Sequence, residues 1–151
     1  MSDECKNFTE EAEAEAKTGD HTITAERWKS AGFCYSDTKD FSKASQCFLN
    51  SAEESIKGKD KTGASDSFLC ATIILLRSGN KEEASKAVKL ADTKGLGGTD
   101  NIKLGKELIK VIEGGNKKAK QEIYAKFSYL IEDNYWLRKT LDKMGITAPP
   151  E

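Results

Sequence analysis

The chain has 151 residues, a net charge of -1, 37% hydrophobic and 32% charged residues, which suits one helix-rich domain with a modest core. A balanced charge lacks the phosphate-neutralising excess of a general nucleic-acid binder, and no stretch approaches the roughly 18 apolar residues of a membrane helix. The acidic, polar start is unlike a secretory signal, so the expected location is the cytoplasm, with membrane contact at most peripheral and indirect.

In chain order, a first helix is predicted from about Asp3 to Lys17. It is rich in Glu and Ala, and Phe8 is its main anchor, so residues 1–19 read as an N-terminal cap. Thr18, Gly19 and Asp20 break it. The second helix runs from about His21 to Thr38 with Asp20 as cap, and the third from about Phe41 to Lys57 with Asp40 as cap. Their short connection makes them antiparallel neighbours. Gly58 to Gly63 reads as a polar connection. The fourth helix, about Ala64 to Ser78, is apolar nearly all round from Phe68 to Leu76 and must be covered on both faces. Asn80 and Glu83 form a capping pair for the fifth, about Lys81 to Thr93. Gly95, Gly97 and Gly98 mark the clearest break. Three further helices follow within 99–145, at about Asn101 to Glu113, Lys117 to Ile131 and Asn134 to Met144. Residues 146–151 read as a disordered tail.

Residues 20–94 hold two related hairpins. Trp28, Ala31, Gly32, Tyr35, Ala44, Phe48 and Ser51 have the large-small spacing of a helix-turn-helix repeat. A shift of forty residues places them on Phe68, Ala71, Thr72, Leu75, Ala84, Val88 and Ala91. Large meets large and small meets small, and only the Gly32 and Thr72 pair loosens. Such hairpins stack because neither buries both faces alone. The period exceeds the roughly 34 residues of tetratricopeptide repeats, which implies longer helices or longer links.

Little in the chain points to chemistry. His21 beside Asp20 suggests a base and its orienter, yet no nucleophile is placed near them, and a surface histidine at a helix start accounts for the pair. The Gly95 to Gly98 segment lacks the Gly-Lys-Ser/Thr ending of a phosphate loop and reads as a linker. Cys5, Cys34, Cys47 and Cys70 include no Cys-x-x-Cys pair and share the chain with one histidine, whereas a zinc site needs about four converging ligands. They are read as small buried residues kept as thiols by a reducing compartment, with Cys34 and Cys47 near each other across one hairpin. No enzyme activity, metal or cofactor is expected. Two lysine clusters, Lys57 with Lys59 and Lys61, and Lys117 with Lys118 and Lys120, read as solvated helix ends or as a basic surface for an acidic partner.

Helical repeats bind partners on the face made by the first helix of each hairpin. In the first repeat that face carries Glu26, Lys29, Phe33 and Ser36. In the second it carries Asp66, Leu69, Ile73 and Leu76, a set too apolar for water and expected to lie under a neighbouring helix.

The signature residues resemble the tetratricopeptide pattern, and the second half resembles soluble NSF attachment proteins, the adaptors of vesicle fusion. The resemblance covers roughly residues 24–145. It is carried by the apolar helix from Ser67 to Leu76 with the helix from Asn80 to Asp92, by Lys106 to Asn116 leading to Phe127 and Leu130, and by Asp133 followed by Trp136 and Leu137. It implies an all-α solenoid of stacked antiparallel hairpins with a small C-terminal bundle. It also implies a non-catalytic adaptor that binds a coiled-coil bundle of SNARE-like fusion proteins and recruits a hexameric AAA+ ATPase through its C-terminal end. On this reading Lys29, Phe33, Ser36 and Arg77 contribute to the partner face. The chain departs from the family in its shorter length and in an end, Ala148 to Glu151, without an acidic leucine-bearing tail. Two other readings stand beside it: a generic repeat scaffold or chaperone-like module binding a short peptide, and a sensor holding a small molecule in an apolar helical pocket.

Overall fold

The computed structural model describes residues 4–149, so the expected helix start at Asp3 and the end of the tail at Pro150 and Glu151 lie outside the described residues. Among them are nine helices and no strand: α1 (Glu4–Ala16), α2 (His21–Asp37), α3 (Phe41–Lys57), α4 (Lys61–Arg77), α5 (Lys81–Thr93), α6 (Asp100–Gly114), α7 (Lys117–Lys126), α8 (Ser128–Ile131) and α9 (Tyr135–Lys143). Consecutive helices from α1 to α5 pack side by side, and α6 packs on both α4 and α5. The protein is an all-α stack of antiparallel helices.

A twenty-residue metre sets the stack. Asp20, Asp40, Asp60 and Asn80 each cap a helix, their side chains accepting from the N–H groups of Ile23, Lys43, Gly63 and Glu83. The residue before each cap is left-handed: Gly19, Lys39, Lys59 and Gly79. The N–H groups of Asp40, Asp60 and Asn80 reach back five residues to Tyr35, Ser55 and Leu75 carbonyls at 2.8–2.9 Å, closing the helix ends. The first repeat is thus two 17-residue helices with three-residue links, so longer helices explain the period.

Three expectations are corrected. The fourth helix begins at Lys61 rather than Ala64, because Asp60 caps Gly63 and draws Lys61, Thr62 and Gly63 into the first turn. The seventh does not reach Ile131 unbroken. It ends at Lys126, Phe127 takes a non-helical φ of -113°, and the short α8 follows. The tail does not begin disordered: Ile146 is fully buried, and its N–H donates to the Leu141 carbonyl at 2.9 Å.

The core is centred on α4, whose residues from Ser67 to Leu76 are all buried. Leu69, Ile73 and Leu76 lie in one cluster with Leu104, Leu108 and Val111 of α6, so a neighbouring helix does cover the apolar second-repeat face. At the repeat positions Ala31, Ala44, Phe48, Phe68, Ala71, Ala84 and Ala91 are fully buried, while Trp28 and Tyr35 are half-buried. Gly32 is glycine because the Phe48 ring lies on it: a Cβ there would meet the ring at 2.8 Å. In the second repeat Thr72 takes the larger place while Val88 replaces Phe48, so volume is exchanged between facing positions. The Ser51 hydroxyl donates to the Ala25 carbonyl at 2.7 Å and lies 3.0 Å from the Ser67 hydroxyl, tying α2, α3 and α4 together.

Candidate docking cleft

The C-terminal helix returns to the first repeat. Asn134 caps α9, and Leu137 and Leu141 bury its inner face. Trp136, half-buried, packs its ring 5.2 Å from Phe33 and 5.8 Å from Phe48, whose own rings are 5.1 Å apart. This aromatic contact between parts of the chain a hundred residues apart leaves a cleft of about 290 Å³ where the ends of α2 and α4 meet α9. Its walls carry Lys39, Arg77, Lys139 and Lys143 against one carboxylate, Asp37, with Tyr135 and Trp136 as aromatic surface and Ser36 and Thr140 as hydroxyls.

Two of these cations are held against aromatic rings. The Arg77 guanidinium lies over the Phe41 ring at 4.8 Å. The Lys139 ammonium lies 5.0 Å from the centre of the Tyr135 ring, one turn back on the same helix, and its interaction with the phenol lowers the phenol pKa and raises that of the lysine. Four cations facing one carboxylate give a positive surface beside an aromatic floor, suited to acidic side chains on a protein partner.

The four residues expected on the partner face are placed as follows. Ser36 and Arg77 line the cleft. Phe33 supports its floor through Trp136. Lys29 sits two turns away on α2 and pairs with Asp66 of α4. Burial pulls the Lys29 ammonium down, but the charge and hydrogen bond of Asp66, with Asp60 farther off, more than offset this and raise its pKa. Lys29 is thus engaged inside the stack. Lys39, Tyr135, Lys139 and Lys143 were not singled out in the sequence, because only the return of α9 brings them together. Of the lysine clusters noted there, Lys59 and Lys61 join Lys94 around a second cleft of about 280 Å³ floored by Ile56 and Leu96.

His21 does not pair with Asp20. Its Nδ1 lies 2.7 Å from a Glu54 carboxylate oxygen on α3, while Asp20 caps α2. Leu96, inside the glycine-rich segment, is buried and is part of the core. Among the described residues no three His, Cys, Asp or Glu side chains converge as a metal site requires, and no helix is long and apolar enough to cross a membrane. The cysteine expectation is corrected. Cys5 and Cys34 form a disulfide, because α1 lies antiparallel on α2 and brings its first turn to the last turns of α2, while Cys47 and Cys70 are buried free thiols. Comparison with protein-family models, with curated proteins and with solved structures gives no match to this chain.

Proposed function

We propose that this protein is a non-catalytic, protein-binding adaptor that takes an acidic helical or coiled-coil partner on the face carrying the α2, α4 and α9 cleft. The observation that carries the reading is the cleft itself, four cations and two aromatic rings assembled by a C-terminal helix that returns to the first repeat. The attachment-protein resemblance adds the kind of partner, a SNARE-like bundle, and a role for the C-terminal end in recruiting a hexameric ATPase. Vesicle trafficking and a cytoplasmic or membrane-peripheral location belong to the same proposal.

The test is the binding of a labelled acidic coiled coil, followed by fluorescence anisotropy at low and high salt. The double variant Lys139→Glu/Lys143→Glu should weaken binding by roughly tenfold or more and flatten its salt dependence. Both lysines are exposed, so the fold is kept. Unchanged affinity would sink the reading. Lys29 is a poor reporter, since reversing it sets two acidic groups against each other inside the stack.

A second reading, the peptide-binding scaffold, is favoured by a groove of about 450 Å³ between α3 and α5. Leu49, Leu75, Ala87 and Leu90 form its apolar surface and Gln46 and Asn80 part of its polar rim. Peptide binding lost on Leu90→Lys but indifferent to the lysine reversals would select it.

A further inference from the structure

Two kinds of cysteine share this chain. Cys47 and Cys70 lie inside the stack, on α3 and α4. Burial, with the Asp40 charge, pushes the Cys47 thiol up to about 11, and burial, with the Asp66 charge, pushes Cys70 well above the ordinary thiol value. At neutral pH neither supplies the thiolate that exchange requires. Cys5 and Cys34 are bonded to each other at the edge of the stack, joining the end helix α1 to α2.

Apart from this bond α1 is held mainly by its packing along α2, with few of its side chains buried. Of its thirteen residues only Cys5 and Ala12 are buried, and Phe8 is 37% exposed. None of its residues belongs to the three apolar clusters that make the core. A thirteen-residue helix rich in Glu and Ala is marginal in water by itself. Glu10, Glu11 and Glu13 are exposed, so the segment is well solvated once off the stack. The helices beyond it keep their own clusters and caps.

We propose that the Cys5–Cys34 disulfide is a thiol–disulfide exchange site and a latch: a dithiol reductant opens it and releases α1, while α2 to α9 stay folded. In the reaction a reductant thiolate bonds to the sulfur of Cys34, the half-buried member of the pair, the Cys5–Cys34 bond breaks, and the buried Cys5 sulfur leaves as a thiolate that takes up a proton. The second thiol of the reductant then displaces the mixed disulfide, so the chain ends with two thiols and the reductant with an internal disulfide. Exchange with a disulfide oxidant, which is itself reduced to two thiols, restores the latch. The released segment frees an acidic arm and uncovers the flank of α2, next to the turn that carries Ser36 and Asp37. The proposal is independent of which partner the cleft takes.

The experiment is hydrogen exchange of the full chain, read by mass spectrometry at neutral pH with and without dithiothreitol, together with alkylation by iodoacetamide. Without reductant no cysteine should be alkylated. With it, exactly two should be, Cys5 and Cys34, and amides within 4–16 should exchange roughly tenfold faster or more while α3 to α6 remain protected. The variant Cys5→Ser should show the fast exchange without reductant. The latch is overturned if 4–16 keeps its protection after reduction or in Cys5→Ser, if two thiols are already free in the untreated protein, or if reduction removes protection throughout the chain.

Discussion

Helices α2 and α4 occupy equivalent places in successive repeats, yet they live in different surroundings. In α4 every residue from Ser67 to Leu76 is buried, whereas in α2 the buried residues are Thr24, Ala25, Ala31, Gly32 and Ser36. Phe68 has no exposure, while its counterpart Trp28 is half-buried. The difference comes from the neighbours. α4 is packed by α3, α5 and α6, whereas α2 is packed by α3 and by α1, which buries an alanine and a cysteine, with Trp136 of α9 reaching Phe33 near its end. A repeat pattern states which side chains face inward; how far each is removed from water depends on what the next helix brings.

The largest test of that contrast is truncation at the two equivalent aromatics. Phe68→Ala should cost about 3–5 kcal/mol and Trp28→Ala less than half as much, read from urea midpoints at constant m. Equal losses would mean that α1 shields Trp28 as fully as three helices shield Phe68.

A second test transplants one repeat's solution into the other. Gly32→Ala drives a methyl into the Phe48 ring and should cost about 1–3 kcal/mol. Adding Phe48→Val, which copies the pairing at Val88, should make the double variant less destabilised than the sum of the singles, a coupling read from a double-mutant cycle. Strict additivity would remove the volume-exchange account.

Alkaline pH probes the interior shared by the two repeats. The folded pKa of Lys29 is raised, so its stabilisation is complete below the unfolded value near 10.5 and is lost as pH rises through the folded one. The Cys47 thiol, at about 11 in the fold against 9.0 unfolded, favours the folded state below pH 9, and that contribution declines between about 9 and 11. Each group contributes a slope of at most about 1.4 kcal/mol per pH unit. Stability measured by denaturant titration should therefore fall above pH 9, and Cys47→Ala should flatten the 9–11 limb.

The smallest test concerns the links. Lys39 and Lys59 hold φ values of 63° and 61°, where Gly19 and Gly79 hold 82° and 79°. Lys59→Gly should raise stability by about 0.5–1 kcal/mol, visible as a higher melting temperature. Lys39→Gly should do the same, though that lysine also borders the cleft.

Much of this architecture was legible because helices announce themselves locally. The bounds of α3 and α5, the caps at Asp20, Asp40 and Asn80, and the covered face of Leu69, Ile73 and Leu76 follow from spacing and capping chemistry. The first turn of α4 was missed because Thr62 and Gly63 are poor helix formers, and only the Asp60 cap makes them helical. The cleft was half legible. Ser36 was read from the first-repeat face, and Arg77 only from the family resemblance. Lys139 and Lys143 have no periodic relation to them, and nothing local says that Trp136 seats on Phe33. The disulfide left no mark either, since its geometry depends on how an alanine-rich helix docks.

The tight links at residues 38–40, 58–60 and 78–80 have a mechanical consequence. Each closes its helix with a backbone bond and opens the next with a side-chain cap, so none has slack to act as a hinge. From α2 to α5 the helices are joined by links of three residues whose polar groups are bonded at both ends. The two borders of this stack are built differently: α1 carries the Cys5–Cys34 bond, and from Gly115 to Asn134 extended residues and the break at Phe127 interrupt the helices. If the cleft takes a partner as proposed, one of its walls is built on the tightly linked α2 and α4 and the other on α9, which follows that interrupted stretch.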